Sequence, residues 1–190
     1  IQRLGLWLRY NLKSAISRTE WDELKVDALP KLTGRLYAGI KFSTDGTSCA
    51  LAVACRTKEN KIFVEAIDCR PTRTGSGWLL DFLSKADLAA VAVDGASGQQ
   101  LLADAMKAAH IKAPVLPTVK QIITANAAFE QAVFARSLCH AGQPGLTQAA
   151  SNCEKRAIGS NGGFGYRSLT EGGHIELLDS VILAHWQCAE

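Results

Sequence analysis

The apolar positions change period along the chain, and the changes divide it. Leu4, Trp7 and Leu8, then Trp21 and Leu24, recur at helical spacing, so residues 1–30 read as helical. Thr19 ahead of Glu20-Trp21-Asp22 reads as a helix N-cap with acids in the first turn, and Pro30 closes the segment. Such a segment is either a surface helix laying its tryptophans on the main domain or an interdomain linker. From residue 36 the period shortens. Residues 36–42 read as a strand, Ser43-Thr44-Asp45-Gly46-Thr47 as a turn marked by Asp-Gly, and residues 48–56 as a second strand. Lys58-Glu59-Asn60 turns the chain into a third strand over 61–70. Strands joined by such tight turns form an antiparallel meander.

The remainder alternates. The spacing predicts a helix over 78–84, a buried strand over 88–93 ending at Asp94-Gly95, and a helix over 99–110. A short strand over 114–119 and a long helix over 120–138 follow. Residues 139–173 are irregular and glycine-rich, with room for one or two strands, and a final helix covers 175–188. The predicted class is α/β: a mixed sheet whose first three strands are antiparallel, with helices on both faces. The RNase H-like fold has this order, as do other α/β folds.

Composition narrows the picture a little. A chain of 190 residues suits one sizeable domain, and its 47% apolar and 21% charged residues are those of a globular protein. A formal charge of +3 neither requires nor excludes nucleic acid. No two of Cys49, Cys55, Cys69, Cys139, Cys153 and Cys188 are spaced as C-x-x-C, which argues against a zinc site. They read as thiols of a reducing compartment. No apolar run approaches the roughly 20 residues of a membrane span, so no membrane partner is expected.

Two acids stand out. Asp94 lies at the carboxyl end of the most apolar strand, where ligands collect in open α/β sheets. Ser97 and Gly98 lie nearer the next helix start, so Asp94 is not needed as its cap. Asp179 lies among Ile175, Leu177, Leu178, Val181, Ile182 and Leu183, with Glu176 three residues earlier. It faces solvent on a polar stripe, or it meets a partner or a metal. Carboxylates converging from different elements are what a two-metal phosphodiesterase requires. His174 and His185 read as structural.

The ordered set of segments resembles the nuclease domain of phage large terminase subunits. Residues 1–8 with Glu20-Trp21-Asp22 are similar to the segment joining motor to nuclease in that family. Residues 36–43 resemble its first nuclease strand, and Val91-Ala92-Val93-Asp94-Gly95 with Gln99-Gln100-Leu101 its second acidic motif. Val119-Lys120 through Ala125-Asn126, Phe129-Glu130 and Leu138-Cys139-His140-Ala141-Gly142 resemble the helix and turn that follow. Leu177-Leu178-Asp179-Ser180-Val181 resembles the helix with the last acid.

The resemblance implies a helical linker over 1–33 and an RNase H-like nuclease domain over 34–190. It implies a two-metal endodeoxyribonuclease that cuts concatemeric viral DNA, with Asp94 and Asp179 holding Mg²⁺ or Mn²⁺, two ions in all. It also implies duplex DNA, an ATPase domain, a small terminase subunit and a portal protein as partners, in the host cytoplasm. No G-x-x-x-x-G-K-[ST] is present, so ATP hydrolysis is not expected of this chain. One departure matters. The family's first acid falls where this chain has Lys41. Asp45 could replace it as a ligand. Lys41 could instead pair with Asp94 and Asp179 and silence the site, leaving a module that docks on DNA or portal. Or Lys41 could contact the scissile phosphate. Lys120, Arg136, Lys155, Arg156 and Arg167 are the candidate phosphate contacts, or else a solvated face, and the loop from Gly159 to Tyr166 is a candidate DNA-contacting hairpin.

Overall fold

The computed structural model describes residues 14–160 and 162–190, so the helical spacing at Leu4, Trp7 and Leu8 lies outside the described residues. The described chain opens with a short helix, α1 (Arg18–Asp22). Its cap is Ser17 rather than Thr19. The Ser17 hydroxyl accepts from the Glu20 amide at 3.0 Å while the Glu20 carboxylate takes the Ser17 amide at 3.4 Å. Ser17-x-x-Glu20 is a capping box, which satisfies two amides reciprocally, whereas a cap at Thr19 would satisfy fewer.

The meander forms as β1 (Leu32–Phe42), β2 (Ser48–Thr57) and β3 (Ile62–Pro71). β1 pairs β2 antiparallel and β2 pairs β3 antiparallel. Helix α2 (Gly77–Lys85) leads to β4 (Leu88–Asp94), which joins the other edge of β1 in parallel. Helices α3 (Gln99–Ala108) and α4 (Val119–Ala135) precede β5 (Leu138–His140), parallel to β3. The sheet order is β4-β1-β2-β3-β5.

The expected strand over 114–119 is a single bridge, Val115 to Ala92. Pro114 and Pro117 carry no amide hydrogen, so the ladder cannot extend past Val115 on either side. Thr118 caps α4 instead, in a second capping box with Gln121. α4 stops short of the expected 138 because Arg136 adopts the left-handed conformation, at φ 56°. Leu138 is thereby free to pair with Ile62. The segment read as irregular contains β5, helix α5 (Pro144–Ser151) and a separate hairpin, β6 (Cys153–Ile158) with β7 (Gly163–Ser168). The closing helix α6 covers Ile175–Ala189.

Two apolar layers sandwich the sheet. Ala38, Ile40 and Phe42 of β1 face a cluster with Leu79, Leu83, Leu102 and Met106 from α2 and α3. On the other face Ala52, Ala54 and Val64 meet Phe129 and Val133 of α4 and Leu178, Val181 and Ile182 of α6. Ile16, Trp21 and Leu24 belong to this second cluster, and Trp21 stacks on His140 with ring centroids 4.2 Å apart. α6 is buried along most of its length, which is why its apolar residues run on without a clear polar stripe. It lies unusually close to β1. A Cβ at Gly39 would fall 2.1 Å from the Ser180 carbonyl oxygen and 2.6 Å from the Ala184 amide nitrogen. Among the described residues, no helix is long and apolar enough to cross a membrane.

Candidate functional site

Strand alternation places Lys41 on the face of β1 that Gly39 turns toward α6. The parallel register sets Lys41 opposite Asp94 at the end of β4. Asp94 shares its face with Ala92, which packs in the α4 and α6 layer. The two side chains join in an ion pair, Lys41 Nζ to Asp94 Oδ2 at 2.5 Å, with 13% and 21% of the side chains exposed. Asp179, one helical turn after Glu176, points into the same small cavity of about 20 Å³, lined also by Arg156, Tyr166 and Asn126. That space holds about one water.

Burial pushes Asp179 up to about 6 from 3.8. The Lys41 ammonium and the Arg156 guanidinium pull it down, while Asp94 and Glu176 push it further up. Among the described residues, none donates a hydrogen bond to its carboxylate. The charges of Lys41 and Arg156 favour this carboxylate's anion in a place where desolvation works against it. The solvated-stripe reading of Asp179 fails: α6 turns it inward, onto the site.

A wider cleft of about 370 Å³ opens beside this cavity, lined by Lys41, Asp45, Ser48, Arg156, Arg167, His174, Glu176 and Asp179. Asp45 is exposed and fixes its own turn. Its Oδ1 accepts from the Ser43 hydroxyl at 2.7 Å, the Thr47 hydroxyl at 2.7 Å and the Thr47 amide at 3.0 Å. The Thr47 hydroxyl and amide, then the Ser43 hydroxyl, hold its pKa down at about 2. The turn accounts for Asp45 in full, although its carboxylate also borders the cleft.

The basic candidates separate. Arg156 and Arg167 line the cleft, from the hairpin β6–β7. Arg167 is braced by Glu154 at 2.6 Å. Lys155 instead pairs with Glu130 at 2.5 Å and lies over the Phe164 ring at 4.2 Å. Arg136 is tied to Glu23 at 2.7 Å at the end of α4. Lys120 is exposed in the first turn of α4 and borders neither cavity.

The sequence pairs Glu176 with Asp179 on one helix turn, but Glu176 is not among the site residues expected from it. It is buried, with its Oε1 taking the Ser48 hydroxyl at 2.5 Å and facing His174 Nδ1 at 2.8 Å. Burial alone would raise its pKa, but the bonds from Ser48 and His174 outweigh it and hold it below the ordinary value. The signal that could have found it is its place on the same turn as Asp179.

A metal pair needs acids from several elements around it. Here β4 and α6 supply one each, β1 supplies an ammonium bonded to one of them, and the enclosed space takes about one water. The residues present do not fit a pair of divalent ions.

No protein-family model matches the sequence, and no curated protein does. Solved structures do match in fold. The large terminase of bacteriophage HK97 aligns with a TM-score of 0.70 at 17% identity, over 90% of this chain and 43% of that one, so the chain spans less than half of that protein. The large terminase nuclease of thermophilic phage G20c with bound magnesium aligns with a TM-score of 0.61 at 16% identity, over 93% of this chain and 98% of that one. The nuclease domain of the bacteriophage SPP1 large terminase, with bound Mn, aligns with a TM-score of 0.52 at 16% identity, over 78% and 85%. With its mixed five-stranded sheet, antiparallel first strands and helices on both faces, the chain has the RNase H-like fold of phage large terminase nuclease domains.

Proposed function

We propose that the chain is the nuclease-type domain of a viral DNA-packaging terminase, and that it engages duplex DNA at the cleft while the Lys41–Asp94 pair keeps a two-metal centre from assembling. The observation that carries this reading is the 2.5 Å ion pair between Lys41 and Asp94, at the strand position where an acid is expected. Arg156 and Arg167 on the hairpin are placed to meet backbone phosphates at the mouth of the cleft. An ATPase domain, a small subunit and a portal protein are the partners this role implies, in the host cytoplasm. In this reading the domain docks the motor on DNA and does not cut it.

One further observation favours a cutting enzyme. Asp94 and Asp179 converge from separate elements, and burial disfavours the anion of Asp179, to which none of the described residues donates a hydrogen bond. If Lys41 turned away, the two acids would offer hard oxygen ligands to a single Mg²⁺ or Mn²⁺. Asp45 or Glu176 would then have to complete the set, each at the cost of its present hydrogen bonds.

Plasmid nicking separates the two. Supercoiled DNA with Mn²⁺ should stay intact with the wild type and be nicked by Lys41→Asp, which restores an acid to β1. Metal-dependent nicking by the wild type, abolished in Asp94→Ala, would replace the docking reading with the enzymatic one.

A further inference from the structure

Cys69 on β3, His174 ahead of α6 and Glu176 on its first turn each aim a donor atom at one point, all within 4.8 Å of one another. Glu176 Oε1 is the hub, with His174 Nδ1 at 2.8 Å and the Cys69 thiol at 3.6 Å. The cluster is distinct in its donors from the Lys41–Asp94–Asp179 group, and lies one helical turn before Asp179 on the same cleft. Spacing along the chain could not show it, because Cys69 lies more than a hundred positions from His174 and Glu176.

We propose that Cys69, His174 and Glu176 form a binding site for one divalent transition metal of the zinc class. The donor set decides the class. Thiolate, imidazole and carboxylate together suit Zn²⁺ or Co²⁺, while Mg²⁺ and Mn²⁺ avoid sulfur. Tetrahedral zinc needs donors roughly 2.0–2.3 Å from the ion. Donors around such an ion lie roughly 3.3–3.8 Å from one another, so Cys69 Sγ at 3.6 Å from Glu176 Oε1 is already well spaced, and His174, at 2.8 Å, is the ligand free to adjust. It is largely exposed and follows Gly172 and Gly173, the first of these at φ 74°. Glu176 is fixed by Ser48 and Cys69 by the β3 ladder. His174 and Glu176 also line the cleft, so a fourth position would open onto it. Binding would displace the thiol proton of Cys69 to solvent and free the Ser48 hydroxyl from its bond with Glu176. The result would be a positive centre on the cleft wall, tying β3 to the start of α6.

The test is a Co²⁺ titration of the metal-stripped chain. One equivalent should bind with visible d–d absorption of a tetrahedral ion and a thiolate-to-cobalt charge-transfer band, and Zn²⁺ should displace it. Cys69→Ser should remove the charge-transfer band, and Cys69→Ser and His174→Ala should each weaken binding by at least about tenfold. Asp94→Asn should leave both band and affinity unchanged, which separates this site from the proposed DNA-engaging centre. Cys69 and His174 are not core residues, and cooperative thermal unfolding of each variant confirms that it folds. A folded wild type that takes up no Co²⁺, or binds it without the thiolate band, overturns the proposal. So does a band that survives Cys69→Ser or disappears in Asp94→Asn. The nicking experiment on Lys41→Asp stands or falls independently.

Discussion

Lys41 and Asp94 sit directly opposite each other in the parallel register of β1 and β4 and close a 2.5 Å ion pair at the mouth of a cavity that also receives Asp179. Lys41 thus faces two inward carboxylates, with Arg156 also near Asp179. Removing Lys41 leaves two like charges sharing a partly dry site, which is costlier than losing the pair itself. Lys41→Met should destabilise the fold by about 2–3 kcal/mol in urea unfolding. Lys41→Met combined with Asp94→Asn should recover more than half of that loss, because the uncompensated charge is gone. Additive losses in the double variant would show that the pair does not couple.

Asp179 predicts a pH dependence with a definite sign. Its pKa in the fold is about 6, against an ordinary 3.8. A raised folded value means the native state holds the proton more tightly than the unfolded chain. The stability contributed is therefore full below about pH 4 and is lost as pH rises through about 6. Asp179→Asn should flatten this slope and raise stability at pH 8 by about 1–2 kcal/mol, a figure reduced for the residual solvent at the site. Chemical denaturation of both proteins from pH 4 to 8 reads it directly, and parallel pH profiles would contradict it.

The hairpin β6–β7 carries the basic residues at the cleft. Replacing Arg156 and Arg167 with alanine should weaken duplex DNA binding and lower the slope of log K against log salt by about 2, roughly one for each phosphate contact. Lys120→Ala and Arg136→Ala should leave that slope unchanged, since neither borders the cleft. A fluorescence anisotropy series in NaCl distinguishes the two pairs.

Ser17 and Glu20 close the capping box at the start of α1, whose Trp21 packs in the second apolar cluster. Ser17→Ala should cost about 1 kcal/mol, the usual worth of such a cap, measured by thermal or urea unfolding. Trp21→Phe should cost more. It removes the 3.2 Å bond to Thr147 and much of the stacking on His140, both fully inside the core.

Much of this architecture was legible in the sequence because it rests on local signals. The Asp45-Gly46 turn, the strand-forming runs of β1 to β3 between tight turns and the unbroken apolar run of β4 each encode their own element. The failures have physical causes too. Two prolines spoiled a strand that hydrophobicity alone suggested near Val115, and a left-handed arginine ended α4 early. β5 is too short to show a period, and it exists only because β3 offers it an open edge. At the site, Asp94 was visible through its position at a strand end, and Lys41 through the resemblance, where it stands in place of an expected acid. Which way Asp179 faces was not, because α6 is apolar nearly all round and gives no polar stripe to orient it. Glu176 was visible beside Asp179 but its inward direction was not, for the same reason, and the contact of Cys69 with Glu176 joins residues distant in sequence.

Gly39 gives the site its gauge. Because it has no side chain, the backbone of β1 and that of α6 come together where Ser180 passes over it. Asp179 is the residue immediately before that contact, so the depth at which its carboxylate enters the cavity is set by a bare strand surface and not by the length of any intervening side chain. A single added methyl would act as a shim, lifting the helix and drawing the acid away from Lys41 and Asp94 without altering any charged group. The charge geometry of the centre is thus specified in part by a residue that has no charge, no hydrogen-bonding side chain and no contact with anything the cleft would bind.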